Sequence, residues 1–375
     1  MIIDSHAYCF LPADDPRGYG TAGEHLRSVQ ASHALHHQPA WRVRDRGEAE
    51  STVLAPEGIR DLSALPDVDF RVDHQQGRVI WTIDGEDYTK QFYPPNLRHL
   101  EFTPHSLISE MDFADVDGAL LHVDPMLVRD SSFVAECVAE YPQRLRGMAL
   151  VDERRIADDP DQVIQELNTA ITVHGLHAIK FHTPVAYGRG PEPWDDGPYR
   201  SFWQSAASLG VPVFFTMGCG PISHHASASK ADLRSGYLDE LNTLVRWMER
   251  YPQTVCSLTH GFHWRLYLEG DRLVVNDERL WEPFQNPNCN VEVCFAVRIG
   301  DVFDYPYTEA RTVLEQMVEH VGADHLLWGT DMPFQNRFCT YRQSRAWIEK
   351  YCTFLTPDDR AAIMGGTAAR ILGWK

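Results

Sequence analysis

A chain of 375 residues with 43% hydrophobic content can fill one large core or two smaller ones. Its formal net charge of -19 repels a phosphate backbone and its basic residues form no run, which excludes nucleic acid as the expected partner. No apolar stretch reaches the ~20 residues that span a bilayer, and Met1-Ile2-Ile3-Asp4 leads into a strand pattern, so no membrane partner and a cytoplasmic location are expected. The eight scattered cysteines include no C-x-x-C pair and are read as reduced thiols.

In chain order, a short apolar strand runs into Asp4-Ser5-His6. Residues 11–104 then break the rhythm; the segment is rich in Pro, His and charge and holds a predicted hairpin, Gly77–Ile83, an Asp84-Gly85 turn, and Tyr88 onwards. So long an unstructured loop is rare inside a compact domain, and this one is read as an inserted cap. From Gly118 apolar runs alternate with amphipathic helices. The strands are 118–123, 145–151, 176–182, 211–216, 254–260, 290–295 and 325–328. The helices are 131–141, 160–173, 199–209, 230–251, 308–321 and 341–354, with a tail at 357–374 broken at Gly365-Gly366. A second insertion at 264–288 carries a predicted hairpin over 273–278. Eight strands alternating with helices predict a (β/α)8 TIM barrel formed by residues 1–10 and 105–375, with the cap at 11–104 following strand one. No G-x-G-x-x-G or G-x-x-x-x-G-K-[ST] follows a strand, which argues against a nucleotide.

Four strand ends carry polar groups: His6; Lys180 and His182; His260; and Asp331 in Trp328-Gly-Thr-Asp-Met-Pro333. The first and last strands of a closed barrel are neighbours, so His6 and Asp331 are expected to meet at its mouth, where barrel enzymes draw residues from several strands. Arg298, Arg337 and His263 follow strands seven, eight and six and are candidates for holding a carboxylate. Tyr8 and nearby aromatics suit a flat ring.

With these residues in place the chain resembles the amidohydrolase superfamily, in the amidohydrolase-related branch that includes aminocarboxymuconate semialdehyde decarboxylase. The resemblance runs through Ile3-Asp-Ser-His6, Leu107–Gly118, Tyr141–Gly147, Ile179-Lys-Phe-His182, Trp328–Pro333 and Gly365–Leu372. It implies a β/α barrel with a zinc or manganese ion on a His-x-His after strand one, a histidine after strand five and an aspartate after strand eight, beside a catalytic histidine after strand six. His6, Asp331 and His260 match three of these positions; Tyr8 and Thr216 stand where two of the histidines belong. His182 is the first replacement ligand considered, His224 or His225 the second, and a metal-free site the third. Lys180 is expected to pair with Asp331 or with a substrate carboxylate. Glu292 is left as a buried partner or a helix-facing residue.

The expected function is metal-dependent hydrolysis, zinc before manganese, of a small carboxylated aromatic or cyclic substrate. Asp331 would activate water, His260 would act beside it, and Tyr8, Lys180, His263, Arg298 and Arg337 would bind substrate. The alternatives are a non-oxidative decarboxylase of an aromatic or muconate-like acid, a metal-free lactonase or hydratase, and a non-catalytic binding protein. The resemblance also implies a homo-oligomer.

Overall fold

The computed structural model describes residues 1–56, 61–187, 192–224 and 227–374. Eight parallel strands form one sheet in chain order: β1 Ile3–Ala7, β2 Gly118–Leu121, β3 Leu145–Ala149, β4 Ala178–His182, β5 Val213–Thr216, β6 Cys256–Leu258, β7 Cys289–Val293 and β8 Leu326–Trp328. Their residues are buried almost without exception, as expected of strands covered by helices on one face and by each other's side chains on the other. The barrel closes between its ends, where Tyr8 N–H donates to the Met332 carbonyl (2.8 Å) and Asp331 N–H to the His6 carbonyl (2.7 Å). At their carboxyl ends β2, β3, β6 and β7 stop two residues before the expected runs do, because the last residues leave the ladder to form the mouth.

Local chemistry sets the helix boundaries. Thr103 caps Pro104–Ala114, whose end is turned by Asp115 in the left-handed region. Ser229 and Asp232 form a capping box on Lys230–Arg250, as do Thr340 and Gln343 on Tyr341–Ala346. The expected helix at 341–354 is shorter than read: after Ala346 the chain takes a wider turn over Trp347–Tyr351 that sets Trp347 and Ile348 in the core. The predicted hairpin at 273–278 is also displaced. The ladder pairs Leu268–Glu269 with Arg272–Leu273 around Gly270-Asp271, and 278–280 is a 3-10 turn.

Within residues 11–104 a helix, Ala22–Leu35, packs on a five-stranded antiparallel sheet ordered Glu48–Ala49, Ala40–Arg42, Glu86–Lys90, Arg78–Ile83, Arg71–Asp73. The expected hairpin is present; Asp84 (φ 52°) and Gly85 (φ 79°) make its two-residue turn. Ala34, Ala40, Leu54, Val68 and Trp81 form a small core of their own. Lys90 is buried where the helix meets the sheet, its Nζ donating to the carbonyls of His33 (2.6 Å) and His36 (2.7 Å) and to Ser51 Oγ (2.6 Å). All eight cysteines are unpaired and buried. Among the described residues no helix is long and apolar enough to cross a membrane.

One glycine is required where the barrel closes. A Cβ on Gly329 would lie 2.8 Å from Ser5 Oγ and 3.1 Å from the His6 Cβ. Gly329→Ala is therefore expected to cost about 1–3 kcal/mol by overpacking and to lower activity with it, because the residues displaced are Ser5 and His6. Urea unfolding and turnover measured together check this; a variant within ~0.5 kcal/mol of wild type with full activity would show that β1 and β8 can separate freely.

Candidate active site

The mouth is built around Glu292, which β7 carries into the centre of the barrel with no exposure. A carboxylate can only accept, so the neighbouring contacts fix the protons. Glu292 Oε2 accepts from His6 Nδ1–H (2.7 Å) and from the His260 backbone N–H (2.8 Å), and Oε1 accepts from Ser5 Oγ (3.3 Å). His122 donates from Nε2 to the Ser5 carbonyl (2.8 Å) and lies 3.5 Å from Glu292 Oε1. With that nitrogen protonated, His122 Nδ1 is the acceptor for the Lys180 ammonium at 2.9 Å. The His6 and His122 rings stack at 3.5 Å between centroids.

The charge states follow. Burial alone would raise Glu292, yet His6 and His122 beside it outweigh burial and hold it well below 4.5. Burial opposes charge on His6, but Glu292 and Asp331 raise it above 6.5. Burial, helped by His6 and Lys180, drives His122 well below 6.5 and keeps it neutral. Burial lowers Lys180 to about 8.

His6 presents its other nitrogen, Nε2, to Tyr8 OH (3.0 Å) and to Asp331 Oδ1 (3.1 Å). The same Oδ1 lies 3.2 Å from His260 Nε2. Asp331 is held below 3.8 because these two histidines outweigh its burial, and burial lowers His260 to about 4. Both His260 and Asp331 take φ 64°, a left-handed conformation that few non-glycine residues adopt. Gly261 follows His260 at φ +83°, where a Cβ would meet the Glu292 carbonyl at 2.8 Å. Asp331 Oδ2 has no hydrogen-bond partner among the described residues.

These groups border a cavity of about 220 Å³. Tyr8, Asp124, His182, Thr216, His260, Arg298, Asp331 and Arg337 line it from the barrel; Ser32, His36, His37 and Phe92 line it from the 11–104 segment. Phe92 and Phe334 meet at 4.9 Å, and Tyr8 stands edge-on to Phe334 at 5.8 Å.

The structure brings together His6, Tyr8, His260 and Asp331 as the sequence reading expects. His182 is not gathered with His6 and Asp331: its backbone N–H (2.6 Å) and Nδ1 (3.3 Å) face Glu153 Oε1, and its Nε2 is 3.7 Å from Asp124. His225 lies outside the described residues, as does the His224 side chain. Lys180 pairs with His122, neither with Asp331 nor across the cavity, which it does not line. His263 is also absent from the lining; its ring stands edge-on to Tyr237. Thr216, at the strand-five position, shares a hydrogen bond with Thr259 Oγ1 (2.9 Å). Sequence reasoning left His122 unremarked and Glu292 unassigned. Their only signal is a polar residue inside an apolar strand.

The donor set can be tested against a divalent ion. His6 Nε2, His260 Nε2 and Asp331 Oδ1 lie within 4.8 Å of one another. The 3.1 and 3.2 Å separations from the shared oxygen are close to the roughly 3.4 Å subtended by two ~2.0–2.1 Å bonds at a tetrahedral angle. His6 is also oriented as a ligand is, with its far nitrogen tied to a carboxylate. Two nitrogens and a carboxylate fit zinc or manganese.

A sequence profile of the family described as amidohydrolase matches residues 109–374. No curated protein matches the chain. Among solved structures, 5-carboxyvanillate decarboxylase from Sphingomonas paucimobilis superposes with TM-score 0.58 at 14% identity, covering 99% of this chain and 98% of that one. A 2,6-dihydroxybenzoate decarboxylase from Rhizobium gives 0.55 at 18%, covering 74% and 90%. A probable 2-pyrone-4,6-dicarboxylic acid hydrolase from Acinetobacter baumannii, with citric acid bound, gives 0.53 at 15%, covering 73% and 90%. At these identities the likeness shows the shared barrel fold.

Glu292→Gln tests the charge assignment. The carboxylate's stabilising effect is present above the unfolded value, near 4.5, and is lost as pH falls toward its lowered folded value. The variant is expected to be less stable by about 3–5 kcal/mol at pH 7, with the gap narrowing below about pH 4.5 in urea titrations. A gap independent of pH would show that Glu292 is not ionised.

Proposed function

Since this chain belongs to the amidohydrolase family and is an enzyme, we propose that it hydrolyses a small cyclic or aromatic carboxylic acid bearing an ester, lactone or amide, with Asp331 as the general base. The carrying observation is the division of labour on Asp331: Oδ1 is occupied by His6 and His260, and Oδ2, on a residue that lines the cavity, has no hydrogen-bond partner among the described residues. An ionised carboxylate with one oxygen held and one open is oriented to take a proton from water. The lowered pKa keeps it ionised at neutral pH. His260 holds Oδ1 in place through Nε2, while Glu292 fixes the His260 backbone. Arg298 and Arg337 supply cations for the substrate carboxylate. Residues 11–104 act as a cap, contributing His36, His37 and Phe92 to the same cavity.

His6, His260 and Asp331 are the residues that would hold a divalent ion, zinc or manganese. Such an ion would supply a water acidified to near neutral pKa. Every other element of the reading rests on the chain's own groups. The enzyme would work in the cytoplasm on a free small molecule as a homo-oligomer; its charge of -19 disfavours nucleic acid.

Decarboxylation of an aromatic acid is a second reading, favoured by the aromatic wall of Tyr8, Phe92 and Phe334. That wall would take a flat ring and exclude water from a carbanion-like state.

Asp331→Asn is expected to lower kcat/KM by at least about 10³ on a panel of carboxylated lactones, esters and amides; near wild-type rates would sink the proposal. Carbon dioxide release without hydrolysis products would transfer it to the second reading. For the ion, elemental analysis of untagged protein should find about one zinc or manganese per chain, lost in His6→Ala. Metal in neither sample would leave acid and base chemistry by Asp331 and His260 alone.

A further inference from the structure

His25 lies in the first turns of the helix Ala22–Leu35, with 1% of its surface exposed. Its Nδ1 is 2.7 Å from the Asp15 carbonyl oxygen and its Nε2 is 2.8 Å from the Met126 carbonyl oxygen. A carbonyl oxygen only accepts, whereas a neutral imidazole has one donor nitrogen and one acceptor nitrogen. Both contacts are hydrogen bonds only when each ring nitrogen carries a proton, so that His25 is an imidazolium. Turning the ring over does not remove the requirement, because it would set carbon atoms at these distances, well inside the ~3.3–3.6 Å of a C–H···O contact. Both lengths match the ~2.7–2.9 Å of charge-assisted hydrogen bonds. The Tyr19 ring stacks on His25 at 4.6 Å between centroids and 10° between planes, presenting a π face to the cation.

The place of the two carbonyls gives this charge a consequence. Asp15 belongs to the 11–104 segment and Met126 to the loop that follows β2. Met126 lines the cavity with Asp124 and Leu127, while Ser32 and His36, on and just beyond the same helix as His25, line it from the other side. His25 therefore joins two walls of one cavity. Arg17 and Tyr19 make the same join: Arg17 pairs with Asp130 and Glu136, and Tyr19 OH donates to the Pro125 carbonyl. Neither changes charge near neutral pH, since arginine stays protonated and burial raises Tyr19 above 10. The other charged groups on these segments are engaged elsewhere. Asp14 pairs with His74, Asp15 accepts from the Arg17 N–H, Glu24 from the Gly20 N–H and Asp124 from the Met126 N–H. Arg27 donates to the Leu65 carbonyl, Arg129 pairs with Asp152, and Arg154, beyond Tyr19, is exposed. Among the described residues no carboxylate pairs with His25, so carbonyl dipoles and the Tyr19 ring hold its charge.

Resting on the reading of residues 11–104 as a cap, whichever reaction proceeds beneath it, we propose that His25 is a proton-dependent latch, a buried imidazolium that bonds the cap to the barrel. Losing the proton leaves a ring lone pair facing a carbonyl oxygen, and in so buried a place one of the two bonds is then lost outright. The closed form binds one proton more than the released form, so closure tightens as pH falls and loosens as pH rises. His25 lies outside residues 109–374, the part of the chain that the family profile matches. The latch is thus a property of the inserted segment.

Two measurements on the full chain test this. With isotope-labelled histidine, long-range proton–nitrogen correlation spectra distinguish an imidazolium from either neutral tautomer, and His25 is assigned by the signals missing in His25→Gln. At about pH 7.5, where an unperturbed histidine is mostly neutral, His25 is expected to show both nitrogens protonated. A neutral tautomer there would overturn the proposal. Hydrogen-exchange mass spectrometry, corrected for intrinsic rates, then compares residues 14–35 and 124–130 with the barrel strand Cys289–Val293. Between about pH 6 and about pH 9, protection of both wild-type segments is expected to fall by at least about tenfold relative to the strand. His25→Gln, whose amide offers the same groups at every pH, should show no such fall, and melting curves check that it is folded. Wild-type protection that does not change with pH would overturn the latch even if the ring is charged, while leaving the cap in place. Both segments unprotected at either pH, with His25 charged, would discard the cap and the latch together.

Discussion

A carboxylate cannot be carried into the centre of a barrel unless something there compensates the lost hydration, and in this molecule the compensation is the candidate active site itself. Glu292 has no exposure and accepts from His6, Ser5 and the His260 backbone, with His122 alongside. Removing water strengthens each of these interactions and also penalises any left unmade. The orientation of His6 and the turn at His260 are consequences of one buried charge, while burial, His6 and Lys180 keep His122 neutral beside it. Lys180 completes the chain from the opposite side, donating to His122 so that His122 donates onward.

A second buried carboxylate performs the corresponding task at the seam. Asp4 accepts from the backbone N–H of His6 (2.9 Å) and Thr330 (3.0 Å), and from the hydroxyls of Thr330 (2.5 Å) and Tyr341 (2.8 Å). It thereby binds the end of β1 to the turn that presents Asp331. That turn needs such a tether, because Asp331 and His260 both hold left-handed backbone conformations that cost free energy and persist only where surroundings over-determine them. Gly329 permits the close approach of the two strands, and Asp4 fixes their relative height.

The barrel was legible in the sequence for a physical reason. Strands buried on both faces read as unbroken apolar runs, and the meeting of His6 with Asp331 at 3.1 Å follows from closure alone. The same property hid His122 and Glu292: a run without period 2 does not say which residue points inward, so nothing distinguished a site residue from a helix-facing one. The resemblance led Lys180 to be expected beside Asp331 or a substrate carboxylate, whereas its partner is His122, the residue that follows β2. Hairpins behaved likewise. Asp84-Gly85 announced its turn, but Leu273-Val-Val looked like a strand although only Leu268–Glu269 and Arg272–Leu273 pair there. The 22–35 helix and its sheet went unread beyond the hairpin, because their own core is small and their strands are as short as two residues.

The way Asp331 is held also explains why the departures at Tyr8 and Thr216 need not abolish chemistry. The groups that hold Asp331 come from β1, β6 and β7, and neither departed position is among them. Tyr8 instead puts a hydroxyl 3.0 Å from His6 Nε2, and Thr216 turns to Thr259, leaving an uncharged wall where a further ligand would have stood. Burial raises the Tyr8 hydroxyl well above 10, so it remains a neutral hydroxyl beside His6. The mouth therefore has fewer nitrogen donors than the family pattern implies but keeps the carboxylate, its two histidines and their buried support. The substitutions change what can sit beside Asp331 and leave intact the network that orients it.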